Sequence, residues 1–149
     1  MKIEVRIDPQ CGEVSLTVTA PAMTDQVRRL VGRLAQAGAE RSITVFQGER
    51  AVLLSPGEIL RFYGEDKGVR CQTRDGQIYT VRQRLYELEE ELSGTRFVRV
   101  SHSELVNLDH VTALDLTLTG TIKMTLEDGA AVCWVSRRYV KRIKQVLGL

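Results

Sequence analysis

Short β-prone runs separated by turn signals dominate the chain from about residue 42 onward. Two of the turns are Asp-Gly pairs, Asp75-Gly76 and Asp128-Gly129, and each lies between runs of apolar and β-branched residues. An Asp-Gly pair in this setting is a strong hairpin signal, because both residues tolerate the positive φ of a tight type I′ turn. We therefore expect a mainly-β fold of short antiparallel sheets with few, short helices, rather than alternating strands and helices.

Two short helices are predicted among these strands. Leucines at helical spacing among glutamates predict an acidic helix over residues 85–92 that ends near Gly94. Apolar residues over 139–146 predict a terminal helix that is closed near Gly148. The predicted strands are residues 43–46, 51–54, 59–63, 69–73, 77–81, 97–100, 111–118, 121–126 and 131–135.

The beginning of the chain has a different pattern from the rest. Apolar and polar residues alternate over residues 3–7 and again over residues 14–18, which is the period of half-buried strands. The intervening residues 8–12 contain Pro and Gly and supply a turn. Two strands joined by a turn are therefore predicted here.

A helix is predicted to follow these two strands. Thr24 is a suitable N-cap, apolar residues over 27–34 recur at i, i+3, i+4 and i+7, and Gly38 lies near the expected end. Such a ββα unit is too small to bury its own apolar faces, so we expect it to pack on the rest or on a second subunit. We divide the chain into an N-terminal segment, residues 1–44, for dimerisation or regulatory contact, and a domain, residues 45–149.

Composition excludes several classes of protein. The chain has 149 residues, of which 43% are hydrophobic and 27% charged, which is ordinary for a globular domain and too apolar for a disordered chain. No apolar run approaches the roughly 20 residues that span a bilayer, and the start does not resemble a signal peptide. We therefore expect a soluble, cytoplasmic protein.

Motifs for catalysis or for metal binding are not found. The two histidines, His102 and His110, have no HxxH or HExxH spacing, and the chain lacks GxSxG, GxGxxG and GxxxxGK. Cys11, Cys71 and Cys133 are far apart, without a CxxC pair, and Cys133 lies in an apolar run that predicts a buried residue. We expect no enzyme activity, cofactor, metal or small-molecule substrate.

The distribution of charge is more informative than its total. The net charge is only +2, yet no acidic residue follows Asp128. Ser136-Arg137-Arg138 lies at a predicted strand-to-helix junction, where a helix N-terminus favours an anion such as a phosphate. Arg is also the side chain that reads guanine bidentately in the major groove. Five cations cluster here: Arg137, Arg138, Lys141, Arg142 and Lys144.

Two other polar segments, residues 65–70 and 99–103, lie between well-specified strands, where recognition groups usually occur. From the residues alone two interpretations stay open: a nucleic-acid interface, or a solubilising face of the domain. Asn107 likewise has two possible roles, reading a base or making a structural hydrogen bond. The structural role suits its position after two apolar residues better.

Two stretches together resemble LytTR-type DNA-binding domains. FVRVSHSELVNLDHV, residues 97–111, is similar to the family pattern F-x-R-x-H-R-S-Y-L-V-N-L-x-x-I. LEDG at 126–129 and VSRRYVK at 135–141 resemble the family ending L-x-D-G followed by V-S-R-R-Y-x-K. The order and spacing of these motifs, and the acidic helix predicted before residue 97, agree with the family pattern over roughly residues 45–148.

The resemblance implies a LytTR-like fold whose loops enter successive major grooves on one side of bent double-stranded DNA. By motif position it places base contacts on His102 and Arg138, and phosphate contacts on Arg137 and Lys141. This chain has Ser101-His102 where the family often has His-Arg, and it has the apolar Val69 in the third loop, where a polar side chain would be needed to contact a base. The full predicted set is Lys67, Arg70, Arg99, Ser101, His102, Ser136, Arg137, Arg138 and Lys141.

The resemblance also implies the class of function and the partners. Members commonly act as bacterial transcriptional regulators that bind direct repeats in promoters, which favours a homodimer. Some stand-alone members are paired with a small membrane protein that restrains them, so such a protein is a candidate partner. We do not expect a receiver domain, because about 120 residues of alternating strands and helices would be needed before residue 42.

Two other functions remain compatible with the sequence. The first is a protein-interaction adaptor with a LytTR-like fold that no longer binds DNA, for which the cations near Ser136 would tolerate reversal to Glu. The second is a single-stranded nucleic-acid binder, which needs exposed aromatic side chains as stacking platforms. Aromatic residues make up only 5% of the chain, and Trp134 is expected in a core strand, so this second rival is disfavoured.

Overall fold

Contacts between residues divide the chain into two units, residues 1–39 and 40–149. The computed structural model describes residues 1–12, 14–38, 42–117 and 120–149. The division falls close to the boundary expected between residues 44 and 45, and the whole of the first β-strand belongs to the second unit.

The first unit contains the predicted helix, α1 (Asp25–Gly38). Thr24 caps it as expected, since its Oγ1 accepts a hydrogen bond from the Val27 amide at 3.3 Å. Residues 27, 30 and 34 form its partly covered side, whereas the residues between them are exposed. The sequence pattern alone therefore located this helix correctly.

The two strands predicted before α1 are not formed in residues 1–12 and 14–24. The turn between them is present, because the Cys11 amide donates to the Asp8 carbonyl at 3.1 Å, but no ladder joins the two runs. Alternation marks a segment that can be a strand, whereas a stable strand also needs a paired partner and a covered apolar face. Val5, at 79% exposure, has neither in this unit.

The second unit is built of two antiparallel sheets, which confirms the mainly-β prediction. One has seven strands in the order β2-β1-β5-β4-β3-β7-β6, and the other has three in the order β10-β9-β8. Predicted residue 118 lies outside the described residues. The strands are β1 (Ile43–Gln47), β2 (Arg50–Leu54), β3 (Ile59–Glu65), β4 (Gly68–Thr73), β5 (Ile78–Val81), β6 (Phe97–Ser101), β7 (Glu104–Asn107), β8 (Val111–Leu116), β9 (Ile122–Leu126) and β10 (Ala131–Val135).

Two helices complete this unit, and both were predicted. They are α2 (Leu85–Glu91), in the connection from β5 to β6, and α3 (Arg137–Leu147), which follows β10. Gly148 ends α3 in the left-handed conformation, with φ 71°, as expected of a C-terminal glycine. Strand β7 was not predicted, although it lies between β3 and β6 in the larger sheet.

Strands β3, β7 and β6 are covered on both faces. Phe62 and Leu105 pack into one core with α2, while Leu60, Val100 and Val106 pack into a second core with the three-stranded sheet and α3. Consecutive apolar residues such as Leu105-Val106 therefore point to opposite faces, and both are buried. These three strands form the wall that the two cores share.

Asn107 fixes the connections around this wall. Its side chain is buried, with the residue only 2% exposed. Its Nδ2 donates to the Ile59 carbonyl at 3.0 Å and to the Pro56 carbonyl at 3.3 Å, while its Oδ1 accepts from the Asp109 amide at 3.1 Å. Of the two roles left open by the sequence, the structural hydrogen bond is confirmed.

The two notable side chains of β10 face in opposite directions. Cys133 is buried as predicted, and burial together with the neighbouring Glu104 carboxylate raises the pKa of its thiol to about 12. Trp134 was expected in the core, but its side chain is on the outer face and the residue is 54% exposed. Strand alternation explains this, because Cys133 and Val135 take the inner positions.

Replacing Asn107 by Ala is predicted to destabilise the protein by about 1–3 kcal/mol, because buried backbone groups lose their partners. Urea unfolding followed by circular dichroism measures this change. Thr44→Ala, at an exposed position of β1, serves as the control and should change stability by less than about 0.5 kcal/mol. Equal stabilities for the two variants would contradict the structural role of Asn107.

Candidate nucleic-acid interface

Three connections lie together at one end of the second unit. They are the β3–β4 turn around Lys67, the β6–β7 turn around His102, and the β10–α3 junction at Ser136. The Gly64 amide donates to the Ser103 carbonyl at 2.9 Å, which joins the first turn to the second. The Ser136 amide donates to the Val100 carbonyl at 2.9 Å, which joins the junction to the strand that leads into the second turn. We call these three connections the loop surface.

The first turn presents Lys67 at its tip. Glu65 pairs with Gly68 across the hairpin, and the two central residues, Asp66 and Lys67, have φ of 49° and 64°. Positive φ at both central positions is the type I′ geometry that matches the twist of paired strands. Arg70 is set back on β4, where it is half-buried with its Nε 3.9 Å from Glu65 Oε2. Lys67 is thus the exposed cation of this turn.

The second turn is held from within by Arg99. The Nε of Arg99 donates to the Ser101 carbonyl at 2.7 Å, and its second terminal nitrogen donates to the His102 carbonyl. Its other terminal nitrogen pairs with Glu89 of α2 at 3.1 Å. The Arg99 side chain is only 11% exposed, so its guanidinium orders the turn from below. The His102 side chain is exposed above it.

The hydroxyl of Ser101 is also used inside this turn. It accepts a hydrogen bond from the Ser103 amide at 3.2 Å. Glu104, the first residue after the turn, is paired with Arg61 at 2.9 Å, which neutralises its carboxylate. The turn therefore carries an exposed imidazole on a backbone that internal hydrogen bonds restrain.

The junction at α3 separates anchoring residues from exposed cations. Ile143 is buried in the second core, and Tyr139 and Val140 pack against the same core. Arg137 and Arg138 lie on the opposite, exposed side of the first helical turn. The helical period produces this division, since residues 139, 143 and 147 repeat on one face.

Ser136 occupies the N-cap position of α3, but its side chain makes no capping hydrogen bond. Its carbonyl instead accepts from the Tyr139 amide at 2.9 Å. The partial positive charge at this helix start is therefore not offset by the Ser136 hydroxyl, and the first turn contains no acidic residue.

The loop surface brings together most of the predicted site residues. Lys67, Arg137, Arg138 and Lys141 are exposed and form no ion pair with the residues that the structure describes. Their chemistry is suited to an anionic partner that presents phosphate oxygens and base edges. Arg99 and Arg70 are the members of the predicted set whose guanidinium groups are engaged by carboxylates of the same unit.

The described residues contain no group of three His, Cys, Asp or Glu side chains that could hold a metal ion. None of the helices they form has the length and apolar character of a membrane span.

The fold is that of a known class of domain. A solved structure with the same fold is the LytTr DNA-binding domain of a methyl-accepting/DNA response regulator from Bacillus cereus, with a TM-score of 0.68 and 20% identity. The similarity covers 75% of this chain and 100% of that one. The family model described as the LytTr DNA-binding domain matches residues 49–148. The chain therefore belongs to the LytTr DNA-binding domain family.

Relatives of nearly the same length occur in Staphylococcus aureus. Proteins from strains MSSA476 and NCTC 8325, named as uncharacterized HTH-type transcriptional regulators, are 30% identical over 149 residues. Each match covers 100% of this chain and 99% of the relative. In the order of elements here, strands separate each of the three described helices from the next, so the described part of this chain contains no helix-turn-helix pair.

Replacing Arg99 by Ala is predicted to loosen the His102 turn, because two carbonyls and the Glu89 carboxylate lose a charged donor. We expect faster amide hydrogen exchange in residues 100–104 and a loss of about 1–3 kcal/mol in stability. Hydrogen exchange measured by mass spectrometry and urea unfolding test this.

Arg96→Ala is the matched control for Arg99→Ala. Arg96 pairs with Asp109 at 2.9 Å, but both side chains are more than half exposed, so its loss should cost at most about 1 kcal/mol. Unchanged exchange at residues 100–104 in Arg99→Ala would show that the turn does not depend on this guanidinium.

Proposed function

We propose that this protein is a bacterial transcriptional regulator that binds double-stranded DNA sequence-specifically through the loop surface. The observation that carries the proposal is the convergence of exposed, unpaired cations and His102 on connections that backbone hydrogen bonds hold together. Membership of the LytTr DNA-binding family and the transcriptional regulators among its relatives support it.

We assign a role to each residue of the loop surface from its motif position and its exposure. His102 and Arg138 are exposed at the tips of two adjoining connections, and we assign them to base edges in the major groove. Lys67 is the corresponding contact from the first turn. Arg137 and Lys141, which flank Arg138 along α3, are assigned to phosphates.

The remaining predicted residues support those contacts. Arg99 is a positioning residue for His102, and Ser101 closes the same turn through its hydroxyl. Ser136 fixes the start of α3 through its backbone, which leaves its hydroxyl available to a phosphate. Arg70 is restrained by Glu65 and lies behind Lys67.

The proposed setting follows from the family. The regulator acts in the cytoplasm as a homodimer on direct repeats in a promoter, and a small membrane protein that restrains it is a candidate partner. The described residues 1–12 and 14–38 contain one helix and no strand, so they do not form the alternating strands and helices of a receiver. Control is therefore assigned to a partner of the N-terminal unit rather than to phosphorylation within residues 1–38.

Replacing Arg138 by Ala is predicted to cost about 1–3 kcal/mol of binding to a duplex selected from a random library, and to relax selection at one base pair. Fluorescence anisotropy with selected and scrambled duplexes measures the ratio of affinities. Lys144→Ala, which removes an exposed charge from the last turn of the same helix, is the control and should leave that ratio unchanged. Equal losses on both duplexes would contradict base reading by Arg138.

Replacing Lys141 by Ala is predicted to weaken binding to every duplex by a similar factor, because a phosphate contact carries no sequence information. The slope of log affinity against log salt should fall by about one. An effect confined to the selected duplex would show that Lys141 reads a base.

The adaptor and single-stranded alternatives are tested in the same experiment. If the proposal holds, the wild-type protein binds duplex and the variant with Arg137→Glu and Arg138→Glu does not. A wild-type protein that binds no duplex, together with a partner complex that survives the double reversal, would favour the adaptor. The exposed Trp134 makes a single-stranded competitor necessary. Stronger displacement by single strands than by duplex would favour a single-stranded binder.

A further inference from the structure

The start of the chain exposes a regular set of apolar side chains. Ile3, Val5 and Ile7 are 80%, 79% and 82% exposed, and they alternate with charged residues along a segment that is neither helix nor strand. Single exposed apolar residues are normal on a protein surface, but a contiguous apolar edge with strand periodicity marks an interaction site. The similarity to the Staphylococcus aureus regulators extends over 100% of this chain, so it includes this segment as well as the DNA-binding domain.

The charges between these apolar residues alternate in sign. Lys2, Glu4, Arg6 and Asp8 read plus, minus, plus, minus along one side of the segment. In an antiparallel pair of two such segments with Val5 opposite Val5, Lys2 lies opposite Asp8 and Glu4 lies opposite Arg6. Every charge then meets a charge of the other sign. The apolar residues meet one another on the other face, with Ile3 opposite Ile7.

Other registers of the same pair are less favourable. With Glu4 opposite Glu4, Lys2 lies opposite Arg6, and with Arg6 opposite Arg6, Glu4 lies opposite Asp8, so like charges meet in both registers. Registers shifted by an odd number of residues place charged side chains opposite apolar ones. Registers centred on Ile3 or on Ile7 join opposite charges, but each pairs only two of the four charges of a segment. The register centred on Val5 is the one in which all four charges of each segment face charges of the opposite sign.

The second apolar run is a poorer partner for this segment. Residues 13–18 alternate Val14, Leu16 and Val18 with Glu13, Ser15 and Thr17, so they offer one charge to the four charges of residues 2–8. In the described structure the two runs of one chain share a turn but no ladder. A second copy of residues 2–8 can pair all four charges as well as the apolar side chains, whereas the chain's own second run can pair the apolar side chains and one charge.

We propose that residues 2–8 of two copies pair as antiparallel strands about a two-fold axis at Val5, and that this pairing joins the protein into a homodimer. An isologous contact of this kind closes after two copies and exposes no further identical site. Two strands alone are marginally stable, so the apolar face needs a cover. Residues 14–18 and the apolar side of α1 belong to the same unit and supply that cover.

The inference deepens the homodimer of the proposed function and rests on that function for its role on DNA. Its test uses the full chain without DNA. In a Cys11→Ser background, Val5→Cys is predicted to form an intermolecular disulfide under mild oxidation, because residues opposite each other in a ladder have Cα atoms about 4.5–5.5 Å apart. Cys71 and Cys133 are buried and do not compete.

Ile3→Cys is the matched control for this disulfide. In the proposed register the two copies of residue 3 are four positions apart along the strand, about 13 Å, so they should not crosslink. Mixing Ile3→Cys with Ile7→Cys should restore a crosslink between unlike chains. Equal crosslinking of Val5→Cys and Ile3→Cys, or none at any position, would overturn the proposal.

Charge reversal gives a second test that needs no cysteine. Glu4→Arg places Arg opposite Arg6 at both symmetric positions, and we expect the dimer dissociation constant to rise roughly tenfold in sedimentation equilibrium. Adding Arg6→Glu should restore it. Dimerisation that Glu4→Arg leaves unchanged, or that the double variant fails to restore, would contradict the register.

Failure of this inference is distinguishable from failure of the proposed function. A selective duplex-binding protein whose Val5→Cys variant does not crosslink would refute strand pairing and leave DNA recognition intact. A crosslinked dimer that prefers no duplex would refute sequence-specific DNA recognition and leave strand pairing intact. A disulfide within a single chain between residue 5 and residue 14, in the doubly substituted protein, would show that the two runs pair with each other across the turn at residues 8–11 and would overturn the proposal.

Discussion

The geometry of the loop surface depends on burial of both faces of β3, β7 and β6. One face packs against α2, and the other packs against the three-stranded sheet and α3. Antiparallel pairing of Tyr63 with Glu104 then places the end of β3 beside the start of β7. The two turns are therefore adjacent as a consequence of register, before any of their own residues make a contact. The amide of Gly64 on the Ser103 carbonyl completes this arrangement.

Polar groups connect the shared wall to its neighbours. Arg61 extends from β3 to Glu104 on β7 and to Gln72 on β4, and it lies 3.6 Å from the Cys133 sulfur on β10. One guanidinium thus links both sheets while it neutralises the carboxylate that follows the His102 turn. Arg99 has a different role, because each of its three guanidinium nitrogens donates a hydrogen bond to the His102 turn or to α2. Internal pairs therefore neutralise Glu104 and Arg99, whereas the exposed cations of the loop surface and the exposed Asp66 beside Lys67 form no ion pair with the residues that the structure describes.

The sequence predicted elements that have a periodic or capped pattern. Both helices of the domain, α1 with its Thr24 cap, and the strands that flank Asp-Gly turns all carry such signals. Strand β7 carries none, because Leu105 and Val106 are both buried on opposite faces, and no Gly or Pro precedes it. The orientation of Trp134 depends on which side of β10 meets the core, which period two alone does not decide. The strands at residues 3–7 and 14–18 failed because their pattern predicts pairing without specifying a partner within the unit.

The candidate site was predictable in part for similar reasons. A basic run after a strand is visible in the sequence, and the family resemblance singled out His102 and Arg138, both of which are exposed in the structure. The engagement of Arg99 by Glu89 and by two carbonyls depends on tertiary structure, since Glu89 lies on a helix ten residues earlier. No local pattern separates such an arginine from an exposed one.

A small net charge limits how this domain can attract a polyanion. With a net charge of +2, the field of the whole chain nearly cancels beyond a Debye length, about 8 Å at physiological salt. Attraction is then a local property of the unpaired cations on the loop surface, and long-range steering contributes little. Under the proposed function, a protein with few phosphate contacts gains less from counterion release, and base contacts from restrained turns supply a larger share of its preference for one duplex. The restraint of the His102 turn by the Arg99 guanidinium is consistent with that proposal.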